Sequence, residues 1–375
     1  MIMKNTEGDC SPAAAEPPHA SAGYGQEALQ RDLDAIRDAG VVGVQARVVS
    51  PCGELAAGSG TAVLGRDVPV PLDGRFRIGS NTKTFAAVVV LQLEAEGRLS
   101  LDDSVERWLP GLVQGNGNDG DEITVRNLLQ HTSGLYDYPN DVEQQMHTEQ
   151  GFHRHQFMRL SPAQVVTLGV EHPPVFAPGS RWGYANVNYI LAGMVIDKVV
   201  GRSWREEVKR RIIAPLELRD TTLPGDSPLL PRPRAEGYTQ DVTTSRLFRS
   251  TEVSLGWGGP AAEIISTTDD LGRFWRALLG GQLLPQPQLR KMTTTIPMGV
   301  PGWEFGLGMA RQQLSCGIPM WSHAGGTPGY MTDNAVTLDG RTSVIVSRST
   351  DGGSLAQSEA SRLIEHAIRG TSAAG

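Results

Sequence analysis

The apolar positions change their period several times along the chain. From Ala28 to Ala39, Leu29, Leu33 and Ile36 recur at helical spacing, and Gly40 follows as a stop signal. VVGVQARVVS and PCGELAAGSGTAVLG then predict two strands joined by a Pro-Cys-Gly turn. A helix begins near Ser80, carries the apolar run AAVVVL, continues to about Glu96 and is ended by Gly97. From about Leu101 to Thr251 the pattern is mostly helical, interrupted at GNGNDGDE and PGDSPLLPRPR. Strand patterns return in WEFGLGMARQQL, MWSHAG, GYMTDNAVTL and RTSVIVSRS, with Asp339-Gly340 as a hairpin turn. A helix from about Leu355 to Arg369 closes the pattern.

This order predicts an α/β (α+β) fold. Residues 26–85 and 255–375 supply a sheet domain built from both chain ends, and residues 86–254 form an inserted, mostly helical domain. The cleft between them is where a small-molecule site is expected. The small, polar, proline-rich residues 1–25 predict a disordered tail.

Composition narrows the functional classes. A net charge of −7 and a pI near 5.7 give no basic field, which excludes nucleic acid as a partner. No window approaches the ~18 apolar residues of a membrane span. The first residues carry no apolar core of a secretory signal, so a cytoplasmic location is expected. Cys10, Cys52 and Cys316 are too few for a disulfide framework and favour a reducing compartment. No disulfide is expected to join Cys316 to either of the others.

The chain writes Arg almost wherever it needs a cation; its only lysines are Lys4, Lys83, Lys198, Lys209 and Lys291. Lys83 stands three residues after Ser80, in FRIGSNTKTF, at the mouth of the apolar helix. Positions i and i+3 share a helix face. A serine hydroxyl is a weak nucleophile without a base beside it. Lysine can be that base once burial or neighbouring cations lower its pKa from ~10.4, whereas arginine cannot. In the first helical turn the Ser80 N–H has no intrahelical partner and meets the positive end of the helix dipole. S-x-x-K alone also describes an ordinary helix start with a solvated lysine.

Two further motifs accompany it: Tyr184-Ala185-Asn186 in WGYANVNYI and His323-Ala324-Gly325 in WSHAGGTPGY. The order and spacing of S-x-x-K, Tyr-x-Asn and H-x-G resemble the serine β-lactamase and penicillin-recognising superfamily. The class C β-lactamase and D-alanyl-D-alanine carboxypeptidase branch is the nearest in pattern. LLQHTSGLYDYPND, YANVNYILAGMVIDKVVG, IISTTDDLGRF and FGLGMARQQLSCGI extend the likeness over about Glu27 to Arg369. The resemblance implies a β-lactamase-like fold, with an antiparallel sheet flanked by helices. It implies Ser80 as acylated nucleophile, Lys83 as its proton acceptor and Tyr184 as proton relay. Asn186 would bond the acyl side of the substrate, and His323 would begin the strand lining the cleft. Gly326 would supply the second oxyanion N–H beside that of Ser80. Trp257 would wall the substrate, with Tyr136 and Tyr138 near the mouth. No cofactor motif appears, and the implied chemistry needs none. His153 and His155 lack the companions of a metal site. His131 is read as tying a turn together.

The departures from the pattern decide more than the matches. Carboxypeptidases of this kind grip a terminal carboxylate with an Arg and two Thr. Here those positions read Ala310, Ala324 and Gly326, and Arg311 is the neighbour of the first. Adjacent strand residues face opposite ways, so Arg311 is expected to point away. The chain is therefore expected to be a serine acyl-enzyme hydrolase or transacylase acting on an amide or ester. The options are an esterase, a D-amino-acid amidase or aminopeptidase-like enzyme, or an acyltransferase. Its partners would be a small-molecule or short-peptide acyl donor and, for transfer, an amine acceptor. The alternatives are a D-Ala-D-Ala carboxypeptidase or β-lactamase, and a non-catalytic penicillin-binding protein.

Overall fold

The computed structural model describes residues 24–138 and 142–372, so nearly all of the expected tail lies outside the described residues. Helix α1 (Gln26–Asp38) buries Leu29, Leu33 and Ile36, and Gly40 leaves it at φ +99°. Strands β1 (Gly43–Ser50) and β2 (Gly53–Gly60) form a hairpin whose turn uses the left-handed φ of Gly53. Then come helices α2 (Thr82–Ala95), α3 (Val125–Gln130), α4 (Val187–Val200) and α5 (Thr268–Leu279). The chain returns to the sheet through β3 (Ile296–Pro297), β4 (Trp303–Phe305), β5 (Ala310–Gln313) and β6 (Pro319–Ser322). Strands β7 (Gly325–Thr327), β8 (Tyr330–Thr337) and β9 (Ser343–Arg348) follow, and α6 (Gly353–Ser372) ends the fold.

Among the described residues these strands make one antiparallel sheet in the order β2-β1-β9-β8-β6-β5-β4-β3, with β7 also on β8. The β1–β9 pair, Val44 opposite Arg348, joins the two ends of the chain. Side-chain alternation then sorts the faces. Val44, Ala46, Val48, Val344 and Val346 pack against α1 and α6. Trp321, Val336 and Ile345 face the other way, into the large core that holds α2, α4 and α5. Helix α2 is apolar all round and buried from Thr82 through Leu91, as a central helix must be. Phe85 stacks on Phe274 of α5 at 3.7 Å between ring centroids. This core runs continuously from Phe76 to Ile345, across sheet and helices alike.

Three expectations are corrected. WEFGLGMARQQL is two strands and not one, because the chain reverses between β4 and β5, with Gly308 at φ +83°. MWSHAG is not one continuous strand: β6 stops at Ser322 and β7 starts at Gly325, so His323 and Ala324 form the break. The mostly helical stretch also contains a small ladder, Tyr238–Gln240 on Leu247–Arg249. No helix among the described residues is long and apolar enough to cross a membrane. Cys52 and Cys316 are free and exposed.

Candidate active site

Ser80 sits in a short 3-10 turn, Gly79–Asn81, that feeds directly into α2. The turn is pinned from several sides. The Trp275 indole N–H donates to Asn81 Oδ1 at 3.2 Å, and the Ile264 N–H donates to Thr82 Oγ1 at 3.1 Å. Gly79 adopts φ +53°, and a Cβ placed on it would lie 2.7 Å from the Gly326 nitrogen. A Cβ on Gly325 would strike the Ile78 carbonyl. Glycine at both places lets β7 lie backbone to backbone against the Ser80 turn. That brings the expected second oxyanion donor, Gly326, to the nucleophile.

Lys83, one turn into α2, is fully buried and reaches back. Its Nζ lies 3.0 Å from Ser80 Oγ, 2.6 Å from Asn186 Oδ1 and 2.9 Å from the Ala261 carbonyl. The Tyr184 hydroxyl donates to Ser80 Oγ at 2.8 Å. Lys83 also stands 4.8 Å from the centre of the Tyr184 ring. Lys83 and Tyr184 thus meet on the Ser80 hydroxyl, and Asn186 and the Ala261 carbonyl hold Lys83 there. The Asn186 and Ala261 oxygens only accept. The charged amine donates to all three oxygens; with one proton lost, its two N–H groups stay on the Asn186 and Ala261 acceptors and its lone pair faces the Ser80 O–H. The geometry suits proton removal from serine.

The loop after α3 supports Asn186. Its backbone N–H donates to Asp137 Oδ1 at 2.7 Å, and its Nδ2 to Asp137 Oδ1 and Oδ2 at 3.1 and 3.3 Å. The carboxylate takes only donors, so it fixes which end of the Asn186 amide faces Lys83. Burial pushes the Asp137 carboxyl up; the bonds from Asn186 and the nearby charge of Lys83 pull it back. His131 ends α3 in a left-handed conformation, φ 58°. Its Nδ1 lies 3.3 Å from the Ala185 nitrogen and 3.2 Å from Asn188 Nδ2, and its ring packs on Tyr184 at 4.3 Å. The expected turn-holding residue therefore also seats Tyr184. Asp137 and the Ala261 carbonyl were not anticipated. The one sequence signal for Asp137 is a carboxylate between two tyrosines in LLQHTSGLYDYPND.

His323 is buried, with Nδ1 2.8 Å from the Ala324 carbonyl, and its backbone N–H donates to Asn334 Oδ1 at 3.0 Å. Burial, aided by the charge of Lys83, pushes its pKa down to about 3, so the imidazole is neutral near pH 7. It lies at the break between β6 and β7. Beside it opens a cavity of about 350 Å³ lined by Trp182, Tyr184, Phe305, Ala310, Ala324 and Asp333, among others. Ala310 pairs with Ser322 and faces this cavity, whereas Arg311 pairs with Glu304 at 3.0 Å. A larger hollow of about 480 Å³ lies at Val300, Trp303 and Arg311, and its lining includes neither Tyr184 nor His323.

The aromatic expectations fare differently. Trp257 is 4% exposed, with its indole N–H on the Ser254 carbonyl and its ring edge-on to Tyr138 at 6.0 Å. Tyr138 is 1% exposed. Both belong to the packed core, where the expected open wall and mouth would have left them accessible. Tyr136 is half-buried and stacks on His172 at 3.9 Å. His153 and His155 lie on a short helix, Glu149–His155, and no cluster of metal-ligating side chains occurs among the described residues.

Known proteins share this fold. A D-stereospecific amidohydrolase from Streptomyces sp. is 41% identical, with a TM-score of 0.84 over 90% of this chain and 98% of that one. The D-amino acid amidase of Ochrobactrum anthropi SV3, solved with L-phenylalanine amide, is 26% identical, with a TM-score of 0.78 over 92% of this chain and 98% of that one. Penicillin-binding protein 4* of Bacillus subtilis is 28% identical over 290 residues, 74% of this chain. The chain covers 61% of that relative's length. The fold, the convergence on Ser80 and a family match spanning residues 27–367 agree: the chain belongs to the Beta-lactamase family.

Proposed function

We propose that the chain is a serine acyl-enzyme hydrolase of amides and esters, with amino-acid amides or esters as acyl donors. The observation that carries this is the triple contact at Ser80: Lys83 Nζ at 3.0 Å and the Tyr184 hydroxyl at 2.8 Å, with Gly326 against the same turn. Lys83 removes the Ser80 proton as Oγ attacks the acyl carbonyl carbon. The oxyanion is held by the N–H groups of Ser80 and Gly326, a device in which one donor is worth ~10²–10³ in rate. Tyr184, on the other side of Oγ, hands a proton to the departing amine or alcohol. Water then attacks the acyl-Ser80 ester, with Tyr184 and Lys83 taking and returning the proton. An amine in the place of water completes acyl transfer.

The choice of substrate rests on the cavity and on the relatives. A site that lacks a cation at Ala310 and hydroxyls at Ala324 and Gly326 offers little to a free carboxylate. The amidohydrolase and amidase relatives make amino-acid amides the natural first substrates to try. The test is labelling with a fluorophosphonate, followed by mass mapping and by Ser80→Ala. One adduct on Ser80 and loss of nearly all turnover in Ser80→Ala are expected. Substantial turnover in Ser80→Ala would end the reading.

A further inference from the structure

The geometry points to Asp137 as the anchor for the α-ammonium group of the acyl donor, which would make the preferred substrate an amino-acid amide or ester with a free amine. This rests on the acyl-enzyme reading above and adds to it the recognition of the donor.

Asp137 is one residue removed from the reacting centre. Asn186 touches Lys83 through Oδ1 at 2.6 Å and Asp137 through Nδ2. In an amino-acid amide the amine is two bonds from the carbonyl that Ser80 attacks, so its partner must lie near the nucleophile. The Asp137 side chain is half-buried, so it is partly desolvated without being sealed off. Oδ1 accepts two bonds from Asn186, at 2.7 and 3.1 Å, while Oδ2 has one long contact at 3.3 Å. Oδ2 therefore keeps acceptor capacity. Burial pushes this carboxyl up, and the bonds from Asn186 and the charge of Lys83 pull it back. An arriving ammonium would add a charge-assisted bond at Oδ2.

The other acidic candidate is already spent. Asp333 lines the cavity, but Arg348 donates to its Oδ2 at 3.0 Å and Gln357 to its Oδ1 at 2.9 Å. The charge that acts on Asp137 is that of Lys83, on the far side of Asn186. Capping α4 and orienting the Asn186 amide fill Oδ1; among the described residues Oδ2 has only the 3.3 Å contact from Asn186 Nδ2.

The experiment compares D-phenylalanine methyl ester with 3-phenylpropionic acid methyl ester, which differ only in the amine. At pH 6.5 the amine is protonated, given an α-amino pKa of about 7.7–8.0. The wild-type enzyme is expected to prefer the amine-bearing ester in kcat/KM by about tenfold or more, the range of a charge-assisted bond. Asp137→Asn keeps the shape and is expected to bring that ratio close to one. Independently of any variant, the wild-type preference should fade as pH rises through the amine's pKa. A wild-type enzyme that turns over both esters equally overturns the anchor and leaves the hydrolase intact. So does an Asp137→Asn enzyme in which both rates fall with the ratio unchanged, since Asp137 would then only position Asn186. Turnover of neither ester, with Ser80 inert to fluorophosphonate, overturns the hydrolase reading and the anchor together.

Discussion

A Cβ built on Gly79 falls 2.7 Å from the backbone nitrogen of Gly326, closer than real side chains come. The two residues are far apart in sequence, yet the Ser80 turn and β7 meet there without an intervening side chain. Gly79 also holds φ +53°, where an L-residue is strained by ~1–3 kcal/mol. Gly79→Ala must therefore push β7 away or distort the turn. Thermal unfolding should show a loss of that size. Turnover should fall further than stability explains, by ~10²–10³, if the Gly326 N–H stabilises the oxyanion. A stable Gly79→Ala enzyme with normal kcat would remove Gly326 from that role.

Lys83 gives the second prediction. Its Nζ contacts Ser80 Oγ, Asn186 Oδ1 and the Ala261 carbonyl in a fully buried site. Arginine could satisfy the acceptors and keep the charge, but it cannot take a proton. Lys83→Arg should acylate as slowly as Lys83→Ala in single-turnover fluorophosphonate or ester assays. Unfolding curves on both variants guard against simple overpacking. A Lys83→Arg enzyme that acylates near the wild-type rate would make Lys83 a structural cation.

Much of this site is legible in the order of the amino acids. Ser80 and Lys83 are local, one helical turn apart, and the scarcity of lysine singles out the second. The glycines that end α1 and α2 and turn the β1–β2 hairpin announce themselves through φ values that other residues avoid. What sequence hides is long-range. Asp137 and Asn186 are a loop and a helix start joined only by folding, and the Ala261 acceptor is a backbone atom without a sequence signature. Trp257 is a different case: the family resemblance implies a substrate wall, and nothing in the sequence signals its packing against Tyr138. The break at His323 is equally invisible, because HAGG carries the same alternation whether or not β6 continues into β7.

The third prediction concerns acid. His323 is neutral when folded, with a pKa of about 3, while an unfolded histidine titrates near 6.5. Between those values the unfolded chain binds the extra proton, so stability falls as pH is lowered from about 6.5 towards 3. Above 6.5 neither state is charged and the effect vanishes. His131, also held low by burial, acts in the same direction. From pH 6.5 to 4.5 His323 alone would remove at most about 3 kcal/mol. Unfolding of wild type and His323→Asn at pH 7.5 and 4.5 measures it. The variant should lose less on acidification; equal losses would mean that the imidazole is charged or exposed in the native state.

The last prediction concerns the leaving side of the substrate. Ala310 faces the cavity lined by Tyr184 and His323, and the cation next to it in sequence, Arg311, is tied to Glu304 at 3.0 Å. The strand register settles this, since Ala310 lies opposite Ser322 and Arg311 opposite Trp321 on the other face. Arg348 is near in the fold but fully buried, with Asp333, Gln357 and the Asp351 carbonyl as partners. The charged group that does line the cavity is Asp333, which takes up the charge of Arg348 and leaves none for a carboxylate. A D-Ala-D-Ala peptide with a free C-terminus would have to bury its charge without a partner. Each missing charge-assisted contact is worth ~1.5–3 kcal/mol. The same peptide as its amide or methyl ester avoids that cost and should have a kcat/KM higher by about tenfold or more. Ala310→Arg with Ala324→Thr should narrow the gap, because it restores a cation and a hydroxyl where the register points them at the cavity. A wild-type enzyme that prefers the free acid would show that another cation reaches the site, and would favour the carboxypeptidase alternative.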